Sequence, residues 1–519
     1  MKKKQRGGTE ESLKLLVKTS VIVFIGVALS KILAYAYRII IARYYGAETY
    51  GLFSLALMVI GLVGTVATLG LTQGVLRYAP LYRAKKKAQA IKYLHRFSVS
   101  ILLFTSIISG GLLYLFSEYI SITFFHNPTL IIYLKIFSFL IPISAISNLY
   151  LSFLRAYEQI SWYSFIFNVA QNVAKVLVLV ILVLIGVGGI ATVYSQFIAT
   201  TVVLIIAYVA CRYSLSEIFG KYSLKNKKAV ITEVFSYSYP IILVSIISTM
   251  FYWVDSFTLG YFLDAKAVGI YNAAVPIALL FYFVPELFMQ LFLPLITREY
   301  GKKNLPLIKE LSKQVGKWIF VVNLPLFILI MAFPGAIINI FFGSEYLVAQ
   351  NALRFLALGS FISSIFTISQ NTLSMAGKSK AILIATIFTS IINLSLNILL
   401  IPKYGLTGAA IATAVSFIIL SLIFFIQSYH YLSVAPFRKK MVNITLSALI
   451  SLAFLLLVKS LISITIFSMI ILSLMFLLIY IGLLFITRSL DKYDKNIILI
   501  FKNRLKGLSR IKLIYPASE

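Results

Sequence analysis

Lys31, Tyr35 and Arg38 stand at i, i+4 and i+7 in the first long apolar run, inside SKILAYAYRIIIARYYGAETYG at 30–51. That spacing puts two cations and a phenol on one helical face. A charge at bilayer depth costs at least ~3 kcal/mol on insertion scales, so such a residue is hidden from lipid and has a task. Cations there suit a phosphate: arginine offers a planar fork to its oxygens and lysine a point charge. Lys175 lies in a later apolar run beside Gln171 and Asn172 and is a further candidate for the same cavity wall. Two carboxylates, Asp255 and Glu286, sit in apolar runs of the second half. Glu286 follows Pro285, where a helix loses a backbone hydrogen bond, and a carboxylate there suits a proton or a sodium ion. Arg38 is as well placed to snorkel, or to pair with Asp255, as to meet a ligand.

These residues need spans to hold them. The chain has 519 residues, 60% hydrophobic and 12% charged, with a mean hydropathy of +0.96. Soluble domains carry roughly 25% charged residues, so this is a polytopic membrane protein. One cysteine, Cys211, excludes an internal disulfide and a thiolate metal site, and His95, His126 and His430 lack ligand spacing. No cofactor is expected. The basic N-terminus precedes a run too long, and too interrupted by Lys31 and Arg38, for a signal peptide, so it reads as a retained helix.

Apolar runs of ~20 residues place about fourteen helices, near 18–41, 50–76, 97–117, 129–154, 162–186, 190–211, 236–262, 268–297, 318–342, 350–375, 380–401, 405–430, 441–458 and 462–487. Runs such as LISITIFSMIILSLMFLLIYIGLLF show no alternation, so helices and not a barrel are expected. With a cytoplasmic N-terminus, thirty-eight of the 47 Lys and Arg fall inside, four outside (Arg43, Lys266, Lys403, Lys459) and five within spans. That bias follows the positive-inside rule and puts both termini in the cytoplasm. It also accounts for the net charge of +31 without nucleic acid.

The chain repeats itself. YGLFSLA at Tyr50 matches VGIYNAA at Val268, RYAPLYRAKKK at Arg77 falls opposite LITREYGKKNL at Leu295, and GVGGIAT at Gly186 opposite GLTGAAI at Gly405. The offset stays at 217–220. Each copy holds six spans, and an even number preserves orientation, so the copies are parallel. The expected organisation is a six-helix lobe at 15–215, a second at 235–432, two further helices at 441–487 and a basic cytoplasmic tail at 488–519, with the substrate cavity between the lobes. Lys135 falls opposite Arg354 and reads as structural; Arg38 falls opposite Asp255. The first-lobe spans carry Lys31, Arg38, Lys135 and Lys175 and no carboxylate, so an anion binds mainly there.

ARYYGAETYGLFSLAL followed by LGLTQGVLRYAP resembles the opening helix pair of polysaccharide flippases, the Wzx-type branch of the multidrug/oligosaccharidyl-lipid/polysaccharide exporter superfamily. VDSFTLGYFLDAKAVGIYNAA and LFLPLITREY resemble their seventh and eighth helices. The resemblance covers about 15–435. It implies a MATE-like fold, residence in the cell membrane and non-enzymatic movement of a lipid-linked oligosaccharide, on a polyprenyl phosphate or diphosphate, by alternating access. Membrane lipids and a coupling ion, H+ or Na+, are the other implied partners. On this reading Lys31, Tyr35, Arg38 and Lys175 meet the substrate, while Asp255 and Glu286 serve ion coupling or contact between lobes. A cation-coupled drug exporter is the alternative within the superfamily, but it wants an acidic cavity. A membrane glycosyltransferase or polymerase wants acidic catalysts in a sizeable external loop, and the external loops here are short.

Overall fold

A computed structural model describes the backbone of residues 2–220, 222–223, 227–461, 466–487 and 489. Apart from Ser489, the basic tail expected at 488–519 lies outside the described residues, as does 462–465 of the last expected span. The described chain is helical throughout. In order it runs α1 (Lys2–Ala67), α2 (Leu71–Ala84), α3 (Ala88–Tyr119), α4 (Leu130–Ser138), α5 (Leu140–Ala156), α6 (Ile160–Ser164), α7 (Gln171–Leu184) and α8 (Ala191–Ser214). It continues α9 (Lys227–Phe262), α10 (Ala265–Leu279), α11 (Phe283–Gly301), α12 (Leu305–Ala332), α13 (Pro334–Phe341), α14 (Gln350–Met375), α15 (Ser379–Leu432), α16 (Lys440–Leu461) and α17 (Ile466–Ile486).

Eleven of the described helices are long and apolar enough to cross a membrane, and the pair α4 and α5, bent by 44°, makes a twelfth span. Two of the eleven, Ala28–Ala67 and Ser379–Leu432, are 40 and 54 residues long. At 1.5 Å per residue these are at least ~60 Å, twice a hydrocarbon core of ~30 Å. Each is broken once, at Gly46 (φ 82°) and Gly405 (φ 55°), backbone conformations that glycine adopts without steric cost. Counting each broken helix as two spans gives a number among the described residues compatible with the fourteen expected from hydropathy. Side chains such as Leu115, Leu184, Phe467 and Ile486 are 74–80% exposed. Such large apolar residues on the outside of so many long helices mark a multi-pass membrane protein.

Two compact units are present. The first comprises Met1–Leu280, Ile337–Ser360 and Lys378–Ile423. Its core is a buried cluster of Leu71, Val75, Leu94, Leu149, Phe153 and Ala207, from α2, α3, α5 and α8. α1 meets α10 in a crossing of small residues. A β-carbon on Gly51 would overlap the Ala265 carbonyl oxygen, and one on Gly269 would overlap that of Ala47. The two contacts are reciprocal, and Ala47–Ala265 and Gly51–Gly269 are each related by the repeat offset of 218. Without a side chain between them the backbones touch, as in small-xxx-small crossings of membrane helices.

Beside this crossing, the Arg43 guanidinium donates to the carbonyls of Asn339 (3.0 Å), Ile340 and Phe341 (2.9 Å), the last three of α13. Sequence reading makes Arg43 an interfacial anchor; here it caps a helix C-terminus, where a cation also meets the negative end of the dipole. Glu345 accepts from the Ala47 amide at 3.2 Å, capping the helix that restarts after Gly46, and pairs with Lys266 at 3.0 Å. Arg43→Ala is expected to cost about 1–2 kcal/mol, read as a lower melting temperature in detergent, with Arg43→Lys recovering part of the loss.

The second unit comprises Phe281–Ala336, Phe361–Gly377 and Phe424–Glu519. Phe292, Ile296, Ile308, Val315, Ile319, Ile368 and Val434 form its core. Asn323 is fully buried in α12 and donates to the Phe281 carbonyl at 2.8 Å and to Ser364 Oγ at 2.9 Å. Lys459 of α16 reaches the Ala332 carbonyl (2.8 Å) and Tyr480 of α17 the Val321 carbonyl (3.0 Å), so both C-terminal helices are tied to α12.

Candidate functional site

Three helices of the first unit bring the predicted cations together. Tyr45 donates to the Val187 carbonyl at 2.8 Å, which puts the Gly46 break at the same end of the unit as the turn after α7. The Ala47–Gly269 contact puts that break beside the start of α10, directly after the end of α9. From this common end, Arg38 lies eight residues down α1, Lys175 nine residues down α7 and Tyr252 ten residues down α9. At 1.5 Å per residue all three sit ~12–15 Å deep, near the middle of a span.

Their neighbourhood agrees with that depth. The Arg38 guanidinium hydrogen-bonds Tyr50 and lies within electrostatic reach of the phenols of Tyr252 and Tyr35. Lys175 lies within electrostatic reach of Arg38. Among the described residues no carboxylate forms an ion pair with either cation. Two like charges a short way apart in a medium of low dielectric favour an anion placed between them. Tyr50 passes its own hydroxyl hydrogen on to the Asn272 carbonyl at 3.1 Å, which fixes the phenol against Arg38. A short π-helical stretch, Phe165–Ala170, precedes α7 and resets the angle at which Lys175 leaves its helix. Asn172, one turn before Lys175, donates to Ser30 Oγ at 3.0 Å and holds α7 against α1.

The other expected site residues fall as follows. Lys31 is exposed, two turns before Arg38, and is engaged by a neighbour and does not stand free. Tyr35 donates its hydroxyl hydrogen to the Pro276 carbonyl, so it braces α1 against the end of α10 as well as facing Arg38. Lys135 stands over the Tyr114 ring at 5.5 Å and Arg354 donates to Asn351 Oδ1 at 3.0 Å. Glu286 belongs to the second unit, exposed in the first turn of α11.

Asp255 departs from the pairing with Arg38. Its carboxylate accepts from Tyr271, from Asn397 Nδ2 at 2.9 Å and from Thr413, and no cation among the described residues pairs with it. Asn397 also donates to Asn393. Its own Oδ1 is buried and has no donor among the described residues. Neutral donors from α10 and both halves of α15 therefore satisfy Asp255, and they outcompete an arginine that is committed to phenols. Sequence reasoning missed Tyr50, Tyr252, Asn393, Asn397 and Thr413. Two signals were present: Asn393 and Asn397 stand at i, i+4 in an apolar run, and Tyr252 is Tyr35 shifted by the repeat offset of 217.

The class defined by this arrangement is a polytopic helical membrane protein with a cationic interior site and a separate buried carboxylate. Residues 16–299 match the family described as "Polysaccharide biosynthesis protein", and residues 240–399 match the MatE family. The chain belongs to the polysaccharide biosynthesis protein family. It is 24% identical over 423 residues to a putative O-antigen transporter of Shigella flexneri, covering 78% of this chain and 95% of that one. It is 27% identical over 219 residues to the probable low-salt glycan biosynthesis flippase Agl15 of Haloferax volcanii, covering 42% of this chain and 45% of that one. A solved structure of lipid II flippase MurJ in an inward closed conformation shares the fold, with a TM-score of 0.72 at 19% identity over 90% of this chain and 99% of that one.

Proposed function

We propose that this chain is a flippase that moves a lipid-linked oligosaccharide across the cytoplasmic membrane, with both termini in the cytoplasm. The two six-helix lobes at 15–215 and 235–432 alternate access to a hydrated cavity, while the polyprenyl tail stays in lipid. The single observation that carries this reading is the pair Arg38 and Lys175, within electrostatic reach of each other at mid-span and without a carboxylate partner among the described residues, in a member of this family. A phosphate or diphosphate supplies the missing negative charge: Arg38 forks two of its oxygens, and Lys175 and Lys31 add point charges along the path. Tyr35 orients the wall. The relatives whose names describe glycan flippases and an O-antigen transporter support the substrate class. The MatE match leaves drug export as the rival, but Arg38 and Lys175 repel a cationic drug.

Asp255 supplies the coupling. An ionised carboxylate at this depth with only neutral donors needs either a proton or a cation. Asn397 Oδ1, which has no donor among the described residues, joins Asn393 Oδ1 and Thr413 Oγ as oxygens near the carboxylate that suit sodium as well as H+. Glu286 is the second candidate ion site.

The reading is tested by complementation of a strain lacking its oligosaccharide flippase, with reconstituted vesicles carrying a labelled lipid-linked oligosaccharide. Restored surface polysaccharide and flipping in vesicles are expected; drug efflux without flipping would sink the reading. Asp255→Asn keeps the shape, removes the charge and exchanges one of the two accepting oxygens for an NH2 donor. It should cut ion-driven transport by more than ~10-fold while leaving slow equilibration of the substrate intact. Replacing Na+ with choline at constant pH separates sodium from proton coupling.

A further inference from the structure

We propose that Tyr252 reads the sugar: its ring is the platform on which the hexose next to the phosphate stacks, while the phosphate sits on Arg38 and Lys175. This deepens the flippase reading and rests on it.

Tyr252 is an unusual tyrosine for its place. Membrane tyrosines collect at the interfaces, where ring and hydroxyl meet two solvents. Tyr252 lies ten residues before the end of α9, ~15 Å from that end, near the midplane of a ~30 Å core. Its side chain is 54% exposed, and it lies within electrostatic reach of Arg38, Tyr35 and the buried Tyr50. An arginine at mid-span faces water or protein and not lipid, and on the proposed reading the exposed Tyr252 side chain shares that aqueous path.

The two phenols that flank Arg38 from opposite copies of the repeat are not equivalent. Tyr35 spends its hydroxyl hydrogen on the Pro276 carbonyl. Tyr252 makes no hydrogen bond to any described residue. Its ring meets the Trp253 indole edge to face, with centroids 5.0 Å apart and planes at 89°. Trp253 in turn lies against Gly61 of α1, where a β-carbon would come 3.4 Å from its Nε1. The indole therefore steadies the phenol from one side and leaves the other side open.

This placement has a chemical consequence. Bare and glycosylated carriers share the same phosphate and the same tail, so cations alone bind both. A pyranose adds a face of C–H groups with a rim of hydroxyls. A rigid aromatic ring with two rotors covers such a face at little entropic cost, and its hydroxyl meets the rim. An aromatic ring within electrostatic reach of the phosphate-binding arginine makes the site prefer a loaded carrier.

The test titrates purified full-length protein in detergent with polyprenyl diphosphate and with polyprenyl diphosphate bearing one N-acetylhexosamine. The wild type should prefer the glycosylated form by about tenfold. Tyr252→Leu should lower that ratio to near one by weakening only the glycosylated form, and Tyr252→Phe should keep most of it. Tyr252→Met serves as the ring-less variant if the leucine protein does not fold. A ratio unchanged in the ring-less variants overturns the proposal. So does equal weakening of both ligands in Tyr252→Phe, which would make the hydroxyl a phosphate donor. A wild type that binds neither carrier refutes the flippase reading itself, an outcome distinct from the loss of sugar preference.

Discussion

Gly51→Leu should leave almost no transport-competent protein, and Gly269→Leu should match it. At both positions the first atom of any side chain falls on the facing backbone and not on a side chain that can swing away. α1 and α10 must then part along the seam from Ala47 to Gly269. In a bilayer no hydrophobic effect between helices offsets the lost packing. Overpacking of this kind costs typically 1–3 kcal/mol in a core that can adjust, and more where backbone is the obstacle. The parting also disturbs the Tyr50–Asn272 and Tyr35–Pro276 hydrogen bonds, which carry the phenols around Arg38. Even the alanine variants should lose more than ~10-fold of transport and show a lower melting temperature. The two alanine changes should combine less than additively, because they strain one seam. Abundance by immunoblot, thermal stability in detergent and flipping in vesicles check all three statements. Tolerance of Gly51→Ala beside intolerance of Gly269→Ala would show that the reciprocal contact is not what holds the two helices together.

How far this was legible in the sequence depends on the interaction. Spans follow from apolar length alone, so hydropathy finds most of them, including those joined across Gly46 and Gly405, while ends such as those of the span expected at 318–342 and found at Leu305–Ala332 miss by ten residues or more. The repeat offset of 217–220 was equally readable, and it carried more than was first drawn from it. Shifted by 217, Tyr35 becomes Tyr252, so the second phenol at Arg38 could have been named from the first. Side-chain partners at long range were not legible. Asp255 and Arg38 have opposite signs at equivalent places, which suggests a pair. The structure instead gives Asp255 three neutral donors and gives Arg38 a hydrogen bond to Tyr50. Spacing along a helix fixes which face a residue is on, but not which of several polar groups on neighbouring helices reaches it first. The capping by Arg43 was invisible for another reason. Its acceptors are backbone carbonyls, which every residue carries and no sequence distinguishes.

Arg38→Ala is expected to abolish detectable flipping, with protein levels reduced by less than half. A guanidinium that forks a phosphate makes two charge-assisted hydrogen bonds, each worth ~1.5–3 kcal/mol. Losing both costs at least ~3 kcal/mol in substrate binding, more than about 100-fold. The fold should tolerate the loss better than the substrate does. Arg38 meets the Tyr50 phenol and has no carboxylate ion pair among the described residues, so its removal strands no buried carboxylate. Tyr50 keeps the Asn272 carbonyl, and Asp255 keeps Tyr271, Asn397 and Thr413. For the same reason the charge swap Arg38→Asp with Asp255→Arg should rescue nothing, in contrast to what an ion pair would give. Arg38→Lys restores the charge without the fork and should recover only part of the activity. Lys175→Ala should cost less, about 10-fold, because a point charge beside a retained fork weakens the site without dissolving it. Lys175→Ala in an Arg38→Lys background should be worse than the two separate losses suggest, since both cations act on one phosphate. Complementation with immunoblots, followed by titration of purified protein with polyprenyl diphosphate, measures each step. Arg38→Ala protein that binds the diphosphate as tightly as the parent would take the phosphate away from α1 and move the search to the other cations along the path, Lys31 first.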